Sequence, residues 1–255
     1  MSATWNDLGA ALDRAQDRGH EVELWLRDDD AVAPSAALDR LLALCTAHAV
    51  PLTLAVIPAA TGAPLAAALA GDPLVRVAVH GFAHTNHAPA GEKKQELGPH
   101  RPTQAVLDEL ARGLGRLKTL HGERALPLLV PPWNRIDAEV VARLPAAGFE
   151  ILSTFGPPRP APLRVLNSTV DIIDWHGSRG GRDPGALLAE ILAQLTQFSC
   201  RPIGLLTHHL VHDAAAWAFL ERLLAVTAGH PASRWHDVSA LAPPPSGAPP
   251  GAARR

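Results

Sequence analysis

The chain of 255 residues is short of cysteine, of long apolar runs and of blocks of like charge, and each shortage excludes a class of protein. Its two cysteines, Cys45 and Cys200, lie in or beside apolar helical patterns without CxxC spacing. We therefore expect core thiols, with neither a disulfide nor a zinc knuckle. No apolar run approaches the ~18–20 residues of a membrane span. The N-terminal residues lack the basic region and apolar core of a secretory signal, so we expect a cytoplasmic protein.

The charged residues are nearly balanced, with 23 basic and 25 acidic side chains and a formal net charge of -2. Nothing in this distribution favours a nucleic acid or an anionic membrane as the partner. With 47% apolar residues the chain can fill one large core, so we predict a single domain over residues 1–241. Residues 242–255 are rich in Pro, Gly and Ala, and we expect a disordered tail there.

Strand and helix patterns alternate along the chain, which predicts an α/β fold with a mostly parallel sheet. Helices are predicted over residues 6–18, 38–47, 64–70, 102–120, 137–144, 183–195 and 213–226. Strands are predicted over residues 22–26, 52–57, 75–80, 125–130, 150–155, 163–165, 170–173 and 202–206, with one more edge over 235–241. Polar clusters follow five of the strands, and a closed or nearly closed barrel brings all its strand ends to one face. An open doubly wound sheet in its dinucleotide-binding form would have a glycine-rich turn after the first strand, where this chain has Arg-Asp-Asp-Asp.

Three histidines follow the third predicted strand within eight residues. His80 and His84 are four residues apart, a spacing at which one helical turn or tight loop can direct two imidazoles at one metal ion. The chain has 13 histidines, so chance spacing is the alternative. His87 is not needed for such a set, and we interpret it as a loop residue.

Three adjacent aspartates follow the first predicted strand, and like charges so close raise one another's pKa unless a cation intervenes. One of these carboxylates with His80 and His84 would make a three-ligand set that leaves a position open for water or substrate. A second carboxylate nearby could accept a proton from that water. Asp28 and Asp30 share one face of an extended chain and Asp29 takes the other, so a local kink decides which of them face the site. The alternative is a helix N-cap within a solvated turn.

Two more features could contribute to a site. His208 and His209 follow a late strand and offer a general acid, unless they are buried structural histidines. Trp133 and Trp175 lie beside turns, where an indole could contact the face of a sugar, although core packing explains them equally well.

Five short motifs occur together, in an order that resembles the polysaccharide deacetylase family (carbohydrate esterase family four, or NodB homology). They are Asp-Asp after the first strand, His-x-x-x-His, Pro-Pro-Trp, Asp-Trp and Leu-Leu-x-His, and they span about residues 24–213. The resemblance implies a distorted (β/α) barrel of about seven parallel strands. It also implies hydrolysis of an N- or O-acetyl group on a carbohydrate or related small molecule. The family uses one divalent metal ion, for which zinc is expected first and cobalt, nickel or iron are alternatives.

The resemblance also implies a role for each matching residue. When the glycine that ends the family's Thr-Phe-Asp-Asp-Gly is aligned with Ala31, Asp29 becomes the catalytic base and Asp30 a metal ligand. A shift of one residue would assign these roles to Asp28 and Asp29, and we prefer the first alignment. The other implied metal ligands are His80 and His84, and the implied acid is His208, with His209 as its alternate. The implied substrate-binding residues are Pro132, Trp133, Asn134, Arg135, Asp174 and Trp175, of which Asp174 and Trp175 are also expected to support the base and the acid.

The chain departs from the family's pattern at two positions. Gly81 replaces the Ser or Thr that follows the first metal histidine, which removes a hydroxyl that shapes the loop. Val130 stands where an arginine usually steadies the base, so Arg27 or Arg135 would have to substitute. Together with the missing secretory signal, these changes count against an extracellular chitin or peptidoglycan substrate. They also leave open an inactive barrel that binds a glycan or metabolite, whereas an amidohydrolase is disfavoured because no His-x-His follows the first strand.

Overall fold

The structure is a computed structural model that describes residues 2–196 and 201–241. Cys45 is buried and unpaired, as predicted. The predictions for Cys200 and for the tail of residues 242–255 fall outside the described residues.

All strand ladders in the described chain are parallel and belong to one sheet. The strands are β1 (Val22–Ala31), β2 (Leu52–Val56), β3 (Val75–His80), β4 (Ala125–Val130), β5 (Ile151–Leu152), β6 (Arg164–Val165), β7 (Val170–Asp171), β8 (Ile203–Thr207) and β9 (Ser233–Trp235). Eight of them follow the order β6-β5-β4-β3-β2-β1-β8-β7, and β9 pairs with the start of β1. The sheet curls into a half-barrel, which confirms the predicted α/β fold and distorted (β/α) barrel. The path of eight strands ends at β6 and β7, so the described ladders do not close a full ring.

Helices connect most of the strands, as the alternating pattern predicts. They are α1 (Trp5–Asp17), α2 (Ala36–Ala47), α3 (Ala63–Leu69), α4 (Thr103–His121), α5 (Ala138–Arg143), α6 (Pro184–Thr196), α7 (Ala214–Thr227) and α8 (Val238–Leu241). The predicted edge over residues 235–241 is wrong beyond Trp235, because the Asp237 carboxylate accepts a hydrogen bond from the Ser239 N–H and starts α8 instead. Within residues 2–196 and 201–241, no helix is both long and apolar enough to cross a bilayer.

Side chains on successive strand residues bury themselves in two separate apolar clusters. On β1, Leu24 and Leu26 pack into the larger cluster with the helices, whereas Trp25 packs into a smaller cluster. The smaller cluster also holds Ala78 of β3 and Val130 of β4, so it fills the inner side of the curl. Residues of β1 with the parity of Trp25 therefore face inward, and this parity positions the candidate site.

Candidate active site

The end of β1 distributes its aspartates to different sides of the sheet. β1 continues beyond the predicted strand to Ala31, so Arg27 and Asp29 lie inward with the parity of Trp25, and Asp28 lies on the opposite face. Asp30 has φ 74°, a left-handed conformation that is uncommon for a residue other than glycine. The pairing between β1 and β2 also shifts its register between Asp28 and Ala31. In a regular strand Asp30 would lie on the same face as Asp28. The kink is therefore what allows Asp30 to join the inward residues.

Asp30 meets both predicted metal histidines. Its Oδ1 lies 3.0 Å from Nε2 of His80 and 3.2 Å from Nε2 of His84. His80 ends β3, is buried, and has its Nδ1 2.9 Å from the carbonyl oxygen of Val130. His84 reaches the same point from the following loop with φ 55°. The three donor atoms lie within 4.8 Å of one another.

The hydrogen bonding of this trio fits a bound cation. A neutral His80 donates its Nδ1 proton to Val130, so its Nε2 lone pair faces the Asp30 carboxylate. Two acceptors in that arrangement need a proton or a metal ion between them. A metal-binding histidine commonly donates its other N–H to a carbonyl, as His80 does here. One carboxylate and two imidazoles also form the open donor set of a catalytic divalent metal.

The pKa values of the trio point the same way. Burial raises the pKa of Asp30, but the hydrogen bond and charge of His80 outweigh it and lower the value to about 2. Burial lowers the pKa of His80. The charge of Asp29 and the contact with Asp30 raise it by more, so the pKa is raised on balance. The pKa of His84 is lowered by burial and by the charge of His80. A single positive charge is therefore favoured between Asp30 and His80.

Arg27 holds Asp29 at the inner side of the site. Its fully buried guanidinium lies with Nε 2.9 Å from Oδ1 of Asp29 and donates from Nη2 to Oδ2 at 3.1 Å. The same group donates to Ser153 Oγ at 2.8 Å, to the carbonyl of Thr154 at 3.1 Å and to Asn134 Oδ1 at 2.8 Å. A planar guanidinium fixed by several acceptors can orient a carboxylate precisely enough for proton transfer.

The family's arginine is replaced by Val130 in this chain, and Arg27 and Arg135 are the two candidates to substitute for it. Arg27 is the one that contacts Asp29. Arg135 donates to the backbone carbonyl of Lys94 at 2.8 Å. Because Arg27 and Asp29 have the same parity on β1, the arginine reaches Asp29 along its own strand instead of from β4.

His208 lies close to Asp29, just after β8. Its Nε2 is 4.0 Å from Oδ2 of Asp29, and its ring meets the indole of Trp175 edge to face at 4.7 Å between centroids. Nδ1 of His208 is buried and has no hydrogen-bond partner in the described part of the chain. The side chain is thus held by packing at the site, with both Asp29 and Trp175 beside it.

Sequence reasoning missed Asp171 at the end of β7. Burial raises the pKa of its carboxyl, and the charge of His208 acts to lower it, so the two groups are in electrostatic range. Asp171 also accepts the indole N–H of Trp175 at 2.8 Å. Asp171 ends the observed β7, but the predicted strand extends to residue 173, so the strand-end rule applied to the sequence indicated Asp174 instead.

The predicted support by Asp174 takes a different form. Its carboxylate accepts the N–H groups of Gly177 and Ser178 at 3.0 and 3.1 Å, which shapes the turn after β7. No hydrogen bond joins Asp174 to Asp29 or His208 in residues 2–196 and 201–241. Asp174 was expected as a partner of the base and acid because it precedes Trp175, but its side chain is used locally by the turn.

The alternates Asp28 and His209 bind each other on the opposite face of β1. The Asp28 carboxylate contacts Nδ1 of His209 and accepts the His209 backbone N–H at 2.8 Å and the Thr207 hydroxyl at 2.6 Å. Burial raises the pKa of Asp28, yet the His209 hydrogen bond and charge lower it overall. The pKa of His209 is lowered by burial but raised on balance by Asp28. Both residues are therefore committed to a buried ion pair.

The Pro131-Pro132-Trp133 stretch forms one wall beside the metal trio. Pro132 is buried, while Trp133 is half-buried with its ring 4.4 Å from that of His84. Trp133 and Asn134 have φ 53° and 55°, and Asn134 uses its Oδ1 to accept from Arg27. Strained backbone thus occurs at Asp30, at His84 and in this wall, which is typical of functional sites.

Comparison with known proteins agrees with the fold described above. No protein-family model and no curated protein sequence matches the chain. Solved structures do match over most of its length. A family 4 carbohydrate esterase from Streptomyces lividans in complex with acetate has a TM-score of 0.58 at 16% identity, and the match covers 88% of this chain and 98% of the esterase. The chain has the fold of the family 4 carbohydrate esterases.

Two further structures with this esterase fold are relevant. A family 4 acetyl xylan esterase from Clostridium thermocellum in complex with a cobalt ion has a TM-score of 0.52 at 13% identity, covering 86% of this chain and 90% of that one. A mutant of a family 4 pseudoenzyme with restored enzymatic activity has a TM-score of 0.59 at 16% identity, covering 86% and 67%. The fold therefore accommodates both active enzymes and inactive relatives.

Proposed function

We propose that the protein is a metal-dependent deacetylase that removes an acyl group, most simply acetyl, from an N- or O-acylated carbohydrate or related small molecule. The observation that carries the proposal is that Asp29 lies near two groups. Its charge acts on His80, which with Asp30 and His84 forms an open donor set, and Nε2 of His208 lies 4.0 Å from its carboxylate. A base and an acid beside a metal site are the parts that hydrolysis of an amide or ester requires.

Asp30, His80 and His84 would hold the metal ion, which when bound supplies Lewis-acid polarisation of the acyl carbonyl and lowers the pKa of water. Two imidazoles and a carboxylate suit zinc first, and cobalt, nickel or iron next. We propose one such ion per chain.

The protein's own groups then divide the proton transfers. Asp29 accepts the proton of the attacking water, and Arg27 fixes the carboxylate in the orientation to do so. His208 donates a proton to the departing amine or alcohol. Trp133 and Trp175 border the two sides and offer flat apolar faces to a sugar ring. We propose a soluble acylated substrate, in keeping with the expected cytoplasmic location.

The second candidate is an inactive barrel that binds a glycan or metabolite. The replacements at Gly81 and Val130 favour it, as does the occurrence of a pseudoenzyme with this fold. Arg27 counts against it, because a binding protein has no need of a buried arginine that fixes the carboxylate of a base.

The experiment is acetate release from acetylated sugars and small amides by purified protein loaded with Zn²⁺ or Co²⁺. Asp29→Asn should lower kcat by ~10²–10⁴-fold because the proton acceptor is lost, while the metal content stays near one ion per chain. Asp108→Asn, an exposed carboxylate on α4, is the control and should leave both unchanged. Full activity of Asp29→Asn would overturn the mechanism. A metal-loaded parent that releases no acetate from any of these substrates would favour the binding protein.

A further inference from the structure

The loop between the two metal histidines has no room for a side chain at Gly81. Gly81 has φ 59°, and a Cβ added there would lie 1.9 Å from Oε2 of Glu96 and 2.6 Å from Cγ of Pro132. Non-bonded atoms do not approach a Cβ so closely, so the carboxylate of Glu96 fills the space in which a side chain at residue 81 would begin. The glycine and the glutamate therefore depend on each other.

Glu96 is almost fully buried, with 1% of its surface exposed. Its Oε2 accepts the backbone N–H of Phe82 at 3.2 Å, and its Oε1 accepts that of Ala83 at 2.7 Å. Both N–H groups belong to the short segment that joins His80 to His84. One side chain thus provides the acceptors for both of these N–H groups, while that of Gly81 is accepted by the carbonyl of Val130 at 3.2 Å.

The backbone beside Glu96 is itself anchored. Leu97 is buried, bridges to Ile136, and accepts the N–H of Asp137 at 2.8 Å through its carbonyl. Gln95 accepts the His87 N–H at 3.0 Å through its carbonyl. Residues 95–97 therefore form a fixed support within an otherwise exposed segment, and Glu96 projects from that support.

A buried carboxylate is costly unless hydrogen bonds replace the lost water. Two backbone N–H donors replace part of that water, and the remaining cost suggests that the carboxylate is used for more than packing. A hydroxyl at residue 81 could stabilise the loop locally, but the chain has glycine there and places a remote carboxylate behind the loop instead.

We propose that Glu96 is a positioning residue for the metal ligands. By holding the N–H groups of Phe82 and Ala83 it turns the loop so that His84, in its left-handed conformation, directs Nε2 back toward Asp30. The inference rests on the proposed function for the presence of the metal ion, but the effect of Glu96 on the loop exists without metal.

The test compares Glu96→Gln and Glu96→Ala with Glu92→Gln, an exposed glutamate in the same segment. Affinity for Zn²⁺ and Co²⁺ is measured by competition with a chelator, together with the visible spectrum of the Co²⁺ form. Hydrogen exchange of a peptide that contains residues 82 and 83 is measured in the metal-free proteins. Glutamine keeps the size of the side chain but has a single acceptor oxygen, so this variant should fold while losing one of the two hydrogen bonds.

Glu96→Ala should lower metal affinity by ~10–100-fold, as loss of an outer partner of a ligand commonly does, and Glu96→Gln by less. Both should alter the Co²⁺ spectrum and speed exchange at residues 82 and 83, whereas Glu92→Gln should match the parent. Parental affinity and parental exchange in both Glu96 variants would overturn the proposal, even if their thermal stability fell. If the parent binds no metal, the proposed function fails, and exchange alone decides on Glu96: faster exchange supports positioning and unchanged exchange refutes it.

Discussion

Asp28 and Asp30 lie two residues apart on β1, and each meets histidine in a different setting. The side chains of Asp28 and His209 are both 0% exposed. The side chain of Asp30 is 33% exposed and that of His84 is 23% exposed, although His80 is buried. One strand therefore builds a closed pair on its outer face and an open trio at its inner end.

The difference lies in how donors and acceptors are balanced. The oxygens of Asp28 are contacted by an imidazole nitrogen, a backbone N–H and a hydroxyl, so this carboxylate is satisfied without any ligand. Asp30 faces the Nε2 atoms of His80 and His84. His80 donates its Nδ1 proton to the carbonyl of Val130, so a neutral His80 has no proton on Nε2 for Asp30. Aspartate beside histidine thus does not by itself identify a site. An incomplete donor balance combined with access to solvent does.

Asp30→Asn should cause the largest change, because it removes a ligand from the open trio. An amide is a neutral and weaker ligand, so affinity for Zn²⁺ should fall by more than the ~10–100-fold that loss of an outer partner costs. The metal-free protein should lose some stability, because buried His80 loses a partner, but less than a fully buried ion pair would cost, since the Asp30 side chain is 33% exposed. Chelator competition and urea unfolding measure the two effects. Parental zinc affinity in Asp30→Asn would remove Asp30 from the set.

Asp28→Asn should show the opposite pattern. It leaves His209 buried without its charge partner, and breaking a buried pair in this way costs ~3–5 kcal/mol of the free energy of unfolding. The folded variant should still bind one metal ion, because the trio lies on the other face of β1. Urea unfolding of the metal-free protein is the measurement, with Asp30→Asn as the matched control. A smaller loss of stability than that control would show that the closed pair is not structural.

The sequence predicted much of the fold because hydrophobic periodicity is a local property. Alternation also predicted that Asp28 and Asp30 share a face until a kink intervenes. The position of the kink could not be predicted, since it depends on a register shift between β1 and β2, which are distant in sequence. The choice of Arg27 over Arg135 likewise depended on which guanidinium reaches Asp29 in the folded chain.

Two further site residues, Asp171 and Glu96, were not predicted from the sequence, for different reasons. Asp171 was missed because the predicted strand extends to residue 173, whereas β7 ends at Asp171 itself. Glu96 gave no signal, since it lies in an aperiodic segment and its partner, Gly81, was noticed only for the hydroxyl that it lacks. Close approach of a remote side chain to a glycine is a property of the tertiary structure alone.

The smallest expected effect concerns the pH dependence of stability and His212, which lies within electrostatic range of the Asp28–His209 pair. His212 packs edge to face against Trp217 at 4.4 Å between ring centroids. Burial lowers the pKa of His212 to about 4, and the charges of His209 and His208 add to this, against Asp28 and Asp213. Because the folded pKa lies below the unfolded value of ~6.5, the unfolded chain binds the proton first. The stability due to neutral His212 is complete above that value and is lost as pH falls toward 4.

Thermal unfolding of the metal-free protein at pH 7 and pH 5 tests this, with His212→Gln as the comparison. The fall in Tm between the two pH values should be larger in the parent than in the variant. His209 acts in the opposite sense, since its raised pKa stabilises the fold at low pH, so the difference between parent and variant is the quantity that isolates His212. Equal falls would mean that His212 is protonated as easily in the folded chain as in water. The closed side of β1 would then be open to solvent, and the contrast with the metal trio would not hold.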